Sequence, residues 1–267
     1  MISTTFSVVE QVIIKGRGFQ LILLVITGIL AYVAYHLARK GKYWTIRPLE
    51  ALDAIGEGIG RAAEMGRPIL LLPGISGLQN AQTIAGLTIF GEVSQRGAEI
   101  GVETHNITSS TQVVAASEAI ARDAYVSVGK PELYQPGKYV KWYGSGQFVY
   151  AVGAAGHILL AKPSVVLFMG YFLSDVIVTG ETASRVGAMQ IGGTTDQSAT
   201  PLMGMFCDYM LFGEEMYAAS ATITKDRYAI ATLAGEDWIK TILLFLMIVG
   251  VLAWVAGSKY IYNIMGM

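Results

Sequence analysis

The sequence predicts an α/β protein: a mostly parallel, Rossmann-like sheet of about five strands, covered by helices and flanked by two transmembrane helices. Three observations carry this expectation. The chain of 267 residues is 53% hydrophobic and only 15% charged, against about 25% charged for an ordinary soluble domain. Its two longest apolar runs lie one towards each end. Between them, segments of helical period alternate with short runs that are apolar on both faces, as strands buried in a parallel sheet are.

Taken in order, residues 1–17 form a short N-terminal segment, and residues 18–38, GFQLILLVITGILAYVAYHLA, are long enough to cross a bilayer, which takes about 20 residues of helix. The run starts late, and Arg39, Lys40 and Lys42 follow it rather than a small-residue cleavage site. It therefore reads as an uncleaved anchor. A basic linker, 39–47, leads to a domain at 48–224. A helical connector (225–240), a second span (241–258) and a tail (259–267) complete the chain. Tyr32, Tyr35, Tyr43 and Trp44 border the first span, and Trp238, Trp254, Tyr260 and Tyr262 the second, as aromatic girdles at a headgroup boundary do. Lys15 and Arg17 precede the first span and Arg39, Lys40, Lys42 and Arg47 follow it. Lys225, Arg227 and Lys240 precede the second, and Lys259 follows. Both counts place the middle domain in the cytoplasm and both termini outside a two-pass cell-membrane protein.

Within the domain, Leu52, Ile55, Ile59, Ala62 and Ala63 form one stripe of a helix over 48–66, with Pro48 in its first turn. PILLL (68–72) is a buried strand, 78–99 a helix and VETH (102–105) a short strand. The Thr108-Ser109-Ser110 cluster caps a helix over 111–128. KYVKWY (138–143) is a strand, 147–161 a helix, SVVLFM (164–169) a strand, 173–186 a helix and AMQI (188–191) a strand. A long apolar helix at about 199–222 closes the domain and runs on towards the second span.

Chemical signatures are sparse. Gly56, Gly58 and Gly60 have the wrong spacing for a dinucleotide fingerprint and precede their strand, so they are expected to serve close helix–sheet packing. Pro73-Gly74-Ile75-Ser76-Gly77 does lie between a strand and a helix, where amides can hold an anion, but it lacks the P-loop lysine. Every expected strand is followed by a small polar connector, and in an open parallel sheet these gather at the carboxyl edge. The candidate ligand-binding residues there are Gly74, Ser76, Gly77, His105, Ser109, Gly144, Ser145, Asp175, Gly193, Thr194 and Thr195. His105 is expected at a strand end, where it could act as a base with Asp175 or Glu181, whereas His157 reads as a packing residue. Glu181 and Arg185 are spaced for an ion pair. Asp208, in an apolar run, demands a partner. Cys207 is the only cysteine, which rules out an internal disulfide and a thiolate metal cage. No metal, cofactor or catalytic constellation is expected, and a net charge of −1 gives no reason to expect nucleic acid.

At GYFLSDVIVTGETASRVGAMQIGGT (170–194), RPLEALDAIGEGIGRAAEMGRP (47–68) and CDYMLFGEEMYAASA (207–221), the chain resembles an uncharacterised prokaryotic family of membrane-anchored proteins with an α/β domain of unknown function. The resemblance implies helical anchors flanking an α/β domain and brings no activity. Three expectations of function follow from the residues. The first is a self-associating scaffold, a homo-oligomer held at the lipid bilayer, with Ala34/Ala38 and Ala253/Gly257 as small-residue pairs in the spans. The alternative is a tethered module that senses a nucleotide or other small anion at the carboxyl edge. An enzyme using His105 ranks third.

Overall fold

A computed structural model describes residues 18–42 and 44–255, and within these leaves aside the side chains of Gly18, Phe19, Ala253 and Trp254. Lys15, Arg17, Tyr43, Gly257, Lys259, Tyr260 and Tyr262, and the segments 1–17 and 259–267, lie outside the described residues. The chain divides into two compact units, residues 46–226 and the two flanking segments together.

In the flanking unit, α1 (Gly18–Arg39) packs along α9 (Arg227–Val255). Small residues let the helices approach. Ala34, Ala38 and Ala231 are fully buried, and a Cβ added at Gly235 would come within 3.2 Å of the Ala34 methyl. Tyr35 stacks on Tyr228, with ring centroids 5.4 Å apart, and Trp44 meets Trp238 edge-on. The Ala34/Ala38 pair expected to join separate copies is thus occupied within the chain. Gln20–Arg39 is the one helix among the described residues that qualifies by length and composition for crossing a membrane, with a mean hydropathy of 2.2. The last three positions of the expected second span are outside the described residues.

The larger unit is a six-stranded, all-parallel sheet in the order β3-β2-β1-β4-β5-β6. Its strands are β1 (Ile69–Gly74), β2 (Thr104–Thr108), β3 (Val140–Trp142), β4 (Val165–Tyr171), β5 (Met189–Thr194) and β6 (Tyr209–Phe212). Alternation sorts the strand side chains: Ile69, Leu71, Val165 and Leu167 face one core, and Leu70, Leu72, Val166 and Phe168 the other. The first core is covered by α2 (Glu50–Met65), α3 (Ala81–Ile100), α4 (Thr111–Ser127) and α8 (Glu215–Ile223). The second lies beneath α5 (Gln147–Ala161), α6 (Asp175–Arg185) and the single turn α7 (Thr200–Met203). From β1 the chain builds outward through β2 and β3, returns through α5 to β4, and then builds the other way. The direction of winding therefore reverses between β1 and β4.

Three expectations need correction. The closing helix at 199–222 does not form: Pro201 opens only one turn, and the chain then pairs with β5 as β6, a sixth strand, before α8 begins. Asp208 directs this, because its carboxylate accepts the Gln190 N–H at 2.8 Å and its own N–H donates to the Gln190 carbonyl. Of the glycines in α2, only Gly58 serves close packing, with an added Cβ 3.1 Å from Val165, while Gly56 and Gly60 face open space. Gly192, Gly193 and Thr194 belong to β5 rather than to a connector.

Candidate functional site

The carboxyl edge is organised by the ends of β1 and β4. Gly74 adopts φ +82, and a Cβ there would run into the Tyr171 carbonyl. A Cβ at Gly170 would likewise meet the Pro73 carbonyl. This close approach keeps the strands paired to their last residues, and the Ile75 N–H donates to the Tyr171 carbonyl at 2.9 Å. The opening at the edge lies to one side of that seam. It is a polar cleft of about 330 Å³ lined by Ile75, Gly77 and Gln79 after β1, Ser109, Ser110, Thr111 and Gln112 after β2, and Ser145 after β3.

Helix α4 starts at this cleft and α5 just beyond it, after Ser145, and neither has a capping side chain. Ser110 is the N-cap of α4 and Gly146 that of α5, and neither makes a side-chain cap bond. By contrast, Asn80 caps α3 by accepting the Gln82 N–H at 2.9 Å. Uncapped first-turn amides carry the positive end of the helix dipole. With the Ser110, Thr111 and Ser145 hydroxyls, they make the cleft a set of neutral donors suited to a small anion. Ser109 shapes the floor: its hydroxyl donates to the Gly74 carbonyl at 3.4 Å, and its own carbonyl accepts the Trp142 indole N–H at 3.0 Å.

Of the residues expected from sequence, Gly77, Ser109 and Ser145 line the cleft, Gly74 lies beneath Ser109, and Gly144 immediately precedes Ser145. Ser76 is in the same connector but does not line it. Gly193, Thr194 and Thr195 serve another purpose. The Gln82 side-chain oxygen accepts from the Thr194 hydroxyl at 3.1 Å and from the Thr195 N–H at 2.9 Å, which ties the end of β5 to α3. Asp175 begins α6 as an anchor: its Oδ1 accepts the Leu173 N–H at 2.8 Å and the Gln147 amide at 3.3 Å, and burial raises its carboxyl above the usual range. Sequence reasoning missed Ile75, Gln79, Ser110, Thr111 and Gln112 as lining residues. Of the Thr108-Ser109-Ser110 cluster, only Ser109 is expected from sequence to bind, and Ser110 reads as part of a cap.

His105 leaves the carboxyl edge altogether. β2 starts two residues later than expected, so His105 is its second residue, near the amino end, and points into the second core beside α5. There His105 Nδ1 lies 3.0 Å from His157 Nε2, His105 Nε2 3.4 Å from Glu103, and His157 Nδ1 3.1 Å from the Tyr143 hydroxyl. One placement of protons satisfies the whole chain. Tyr143 donates to His157, His157 to His105, and His105 to the Glu103 carboxylate, which Lys138 also holds at 2.6 Å. Glu181 meanwhile pairs with Arg185 at 2.6 Å on the exposed side of α6, as its spacing predicts. The base-and-partner arrangement of His105 with Asp175 or Glu181 is therefore not assembled.

In this arrangement both imidazoles are neutral: a proton added at His105 Nδ1 would oppose the His157 Nε2–H, and one added at His157 Nδ1 would displace the proton that the Tyr143 hydroxyl donates there. Burial lowers the pKa of His105, and burial together with the neighbouring His105 brings His157 to about 4. Both values lie below the ordinary 6.5, so the unfolded chain binds more protons between the two limits. The stabilisation by His157 is complete above pH 6.5 and is lost as pH falls towards 4, and that by His105 declines in the same direction. Discounted for the partial exposure of His157, the loss is about 2 kcal/mol. The raised carboxyl of Asp175 acts in the opposite sense and blunts it. Thermal unfolding from pH 7 to pH 4 is expected to show this decline, and His157→Gln to flatten it.

Cys207 is half-buried, and burial pushes its thiol up to about 12, so it is an inert packing group. Among the described residues no group of three or more His, Cys, Asp or Glu could hold a metal ion. Neither curated proteins nor solved structures give a match to the chain. The profile of a family described as a domain of unknown function, DUF6754, matches residues 9–265, and the chain belongs to that family.

Proposed function

We propose that the protein is a membrane-tethered α/β module that binds a small anion, such as a phosphate-bearing metabolite or nucleotide, in the cleft at the carboxyl edge of its sheet. The observation that carries this reading is the meeting of two helix N-termini without capping side chains beside one hydroxyl-lined cleft. No lysine or arginine lines the cleft, so recognition rests on amides and hydroxyls. Thermal unfolding of the full chain in mild detergent, screened against inorganic phosphate, nucleotides and other anionic metabolites, tests it. A true ligand at a hundredfold excess over its dissociation constant stabilises by about 2.7 kcal/mol, and Ser110→Ala with Ser145→Ala reduces that shift. A screen without any shift counts against the reading.

The tether in this reading is two-pass, with the domain cytoplasmic and both termini outside. Its support is the hydropathy of Gln20–Arg39 and the outward-facing apolar side chains of α9, among them Leu244, Phe245, Met247, Val251 and Leu252. Protease added to sealed right-side-out vesicles is expected to spare the domain, and cleavage within 48–224 would reverse the orientation. Self-association into a scaffold remains a second reading, favoured by attachment of the domain through both of its ends. It no longer draws on Ala34 and Ala38. A single-chain mass in detergent at every concentration would end it.

A further inference from the structure

Helix α5, QFVYAVGAAGHILLA, has no Asp, Glu, Lys or Arg and is apolar on every side save at Gln147 and His157. Such a helix is normally covered on every side. Here the inward stripe, Tyr150, Ala151, Ala154 and Ile158, fills the second core, yet the outward stripe is bare. Phe148 is 72% exposed, Val152 67% and Leu160 87%, with Val149 and Leu159 beside them. Packed against α5, α6 adds Ile177 and Val178 to the same outer surface. Contiguous exposed apolar area of this kind marks a contact surface.

We infer that the outer face of α5 lies in the headgroup region of an anionic bilayer surface, drawing the α/β domain down onto the membrane that its flanking helices enter. This rests on the membrane-tethered reading above and adds a second, peripheral attachment to it. Charge argues for lipid. From residue 133 to residue 174 there is no Asp or Glu, while Lys141 precedes α5 and Lys162 follows it. The Lys141 ammonium donates to the Gly137 carbonyl at 2.6 Å and acts electrostatically on His157, so both lysines lie towards the C-terminal half of α5. An anionic surface complements that basic end. Trp142, beside Ser109, and Tyr143, which lies over Gly153 and His157, are both exposed and are the aromatic types that settle at a headgroup boundary. With 15 residues the helix is about 22 Å long, too short to cross a hydrocarbon core of about 30 Å, so it must lie along the surface. Tethering keeps the face near lipid and makes the contact effectively intramolecular.

The test places the full chain in nanodiscs at one copy per disc, with a spin label attached through Leu160→Cys in a Cys207→Ala background. A parallel sample carries the label through Ile29→Cys in α1. In discs containing anionic lipid, the Leu160 label is expected to lose collisions with a water-soluble nickel complex and gain them with oxygen. In purely zwitterionic discs, or with Lys141 and Lys162 replaced by Gln, that shift is expected to diminish. A label that stays open to the nickel complex in anionic discs overturns the proposal. So does protection that appears only with two copies per disc, which would assign the face to self-association. The Ile29 label separates this from the tether: its exposure to water would defeat the membrane reading itself, whatever the Leu160 label does.

Discussion

Gly74→Ala is expected to destabilise the α/β domain by about 4 kcal/mol, combining the left-handed backbone penalty with overpacking against a neighbouring carbonyl. The residue holds φ +82, and its missing Cβ leaves the space that the Tyr171 carbonyl fills. Neither strand end can retreat cheaply, because Ile75 donates to that same carbonyl and Ser109 to the carbonyl of Gly74. A fall of about 10 °C in the thermal midpoint follows for a domain of this size. Gly66→Ala provides the comparison. Gly66 caps α2 at φ +61 with nothing near its Cβ position, so only the backbone penalty applies, about 1 kcal/mol. Equal losses at the two glycines would mean that the β1–β4 seam is not tightly closed.

Gln82→Leu is the second large effect, with an expected loss of about 3 kcal/mol as two buried donors lose their acceptor. Gln82 is only 7% exposed, and its oxygen receives both the Thr194 hydroxyl and the Thr195 N–H. Leucine fills the volume but offers no lone pair, so a backbone N–H and a hydroxyl are left unpaired at the end of β5. Thr194→Val removes one of those donors but also the oxygen that accepts the part-buried Asp196 N–H at 3.1 Å, which water can replace, and is expected to cost about 1 kcal/mol. Equal stability losses in the two variants, read from thermal unfolding of the full chain, would contradict this assignment.

Much of the larger unit was legible because its elements announce themselves locally. The α5 boundaries, 147–161, follow from an apolar run between Gly146 and the Lys162-Pro163 stop, and β1 and β4 from runs too apolar for any surface position. What failed depended on tertiary partners. β6 is a strand because Asp208 captures the Gln190 backbone and because Tyr209–Phe212 finds β5 beside it. Nothing within 199–222 announces that. Gly192 and Gly193 looked like a connector by propensity, yet they are strand residues whose Cβ positions are taken by Met210, Cys207 and Met169 sulfurs. The site suffered from register in the same way. Placing β2 at 102–105 put His105 at a carboxyl end, whereas the observed strand, Thr104–Thr108, puts it near the start. The connectors after β1 and β3 fall where expected, since Gly and Ser gather wherever a strand must turn into a helix, whereas those after β2 and β5 begin later because the strands run on to Thr108 and Thr194. Which of them share one cleft depends on strand order, and the order β3-β2-β1 that unites Gly77, Ser109 and Ser145 is set by the crossovers rather than by local sequence.

Amide hydrogen exchange on the full chain, with and without a saturating anionic ligand from the thermal screen, is the most direct measurement of where that ligand sits. The cleft account predicts slowed exchange in the first turns of α4 and α5, residues 110–114 and 146–150, with the amino end of β2 unchanged. Protection centred on the other half of the carboxyl edge, after β4 and β5, or spread evenly over the domain, would contradict it.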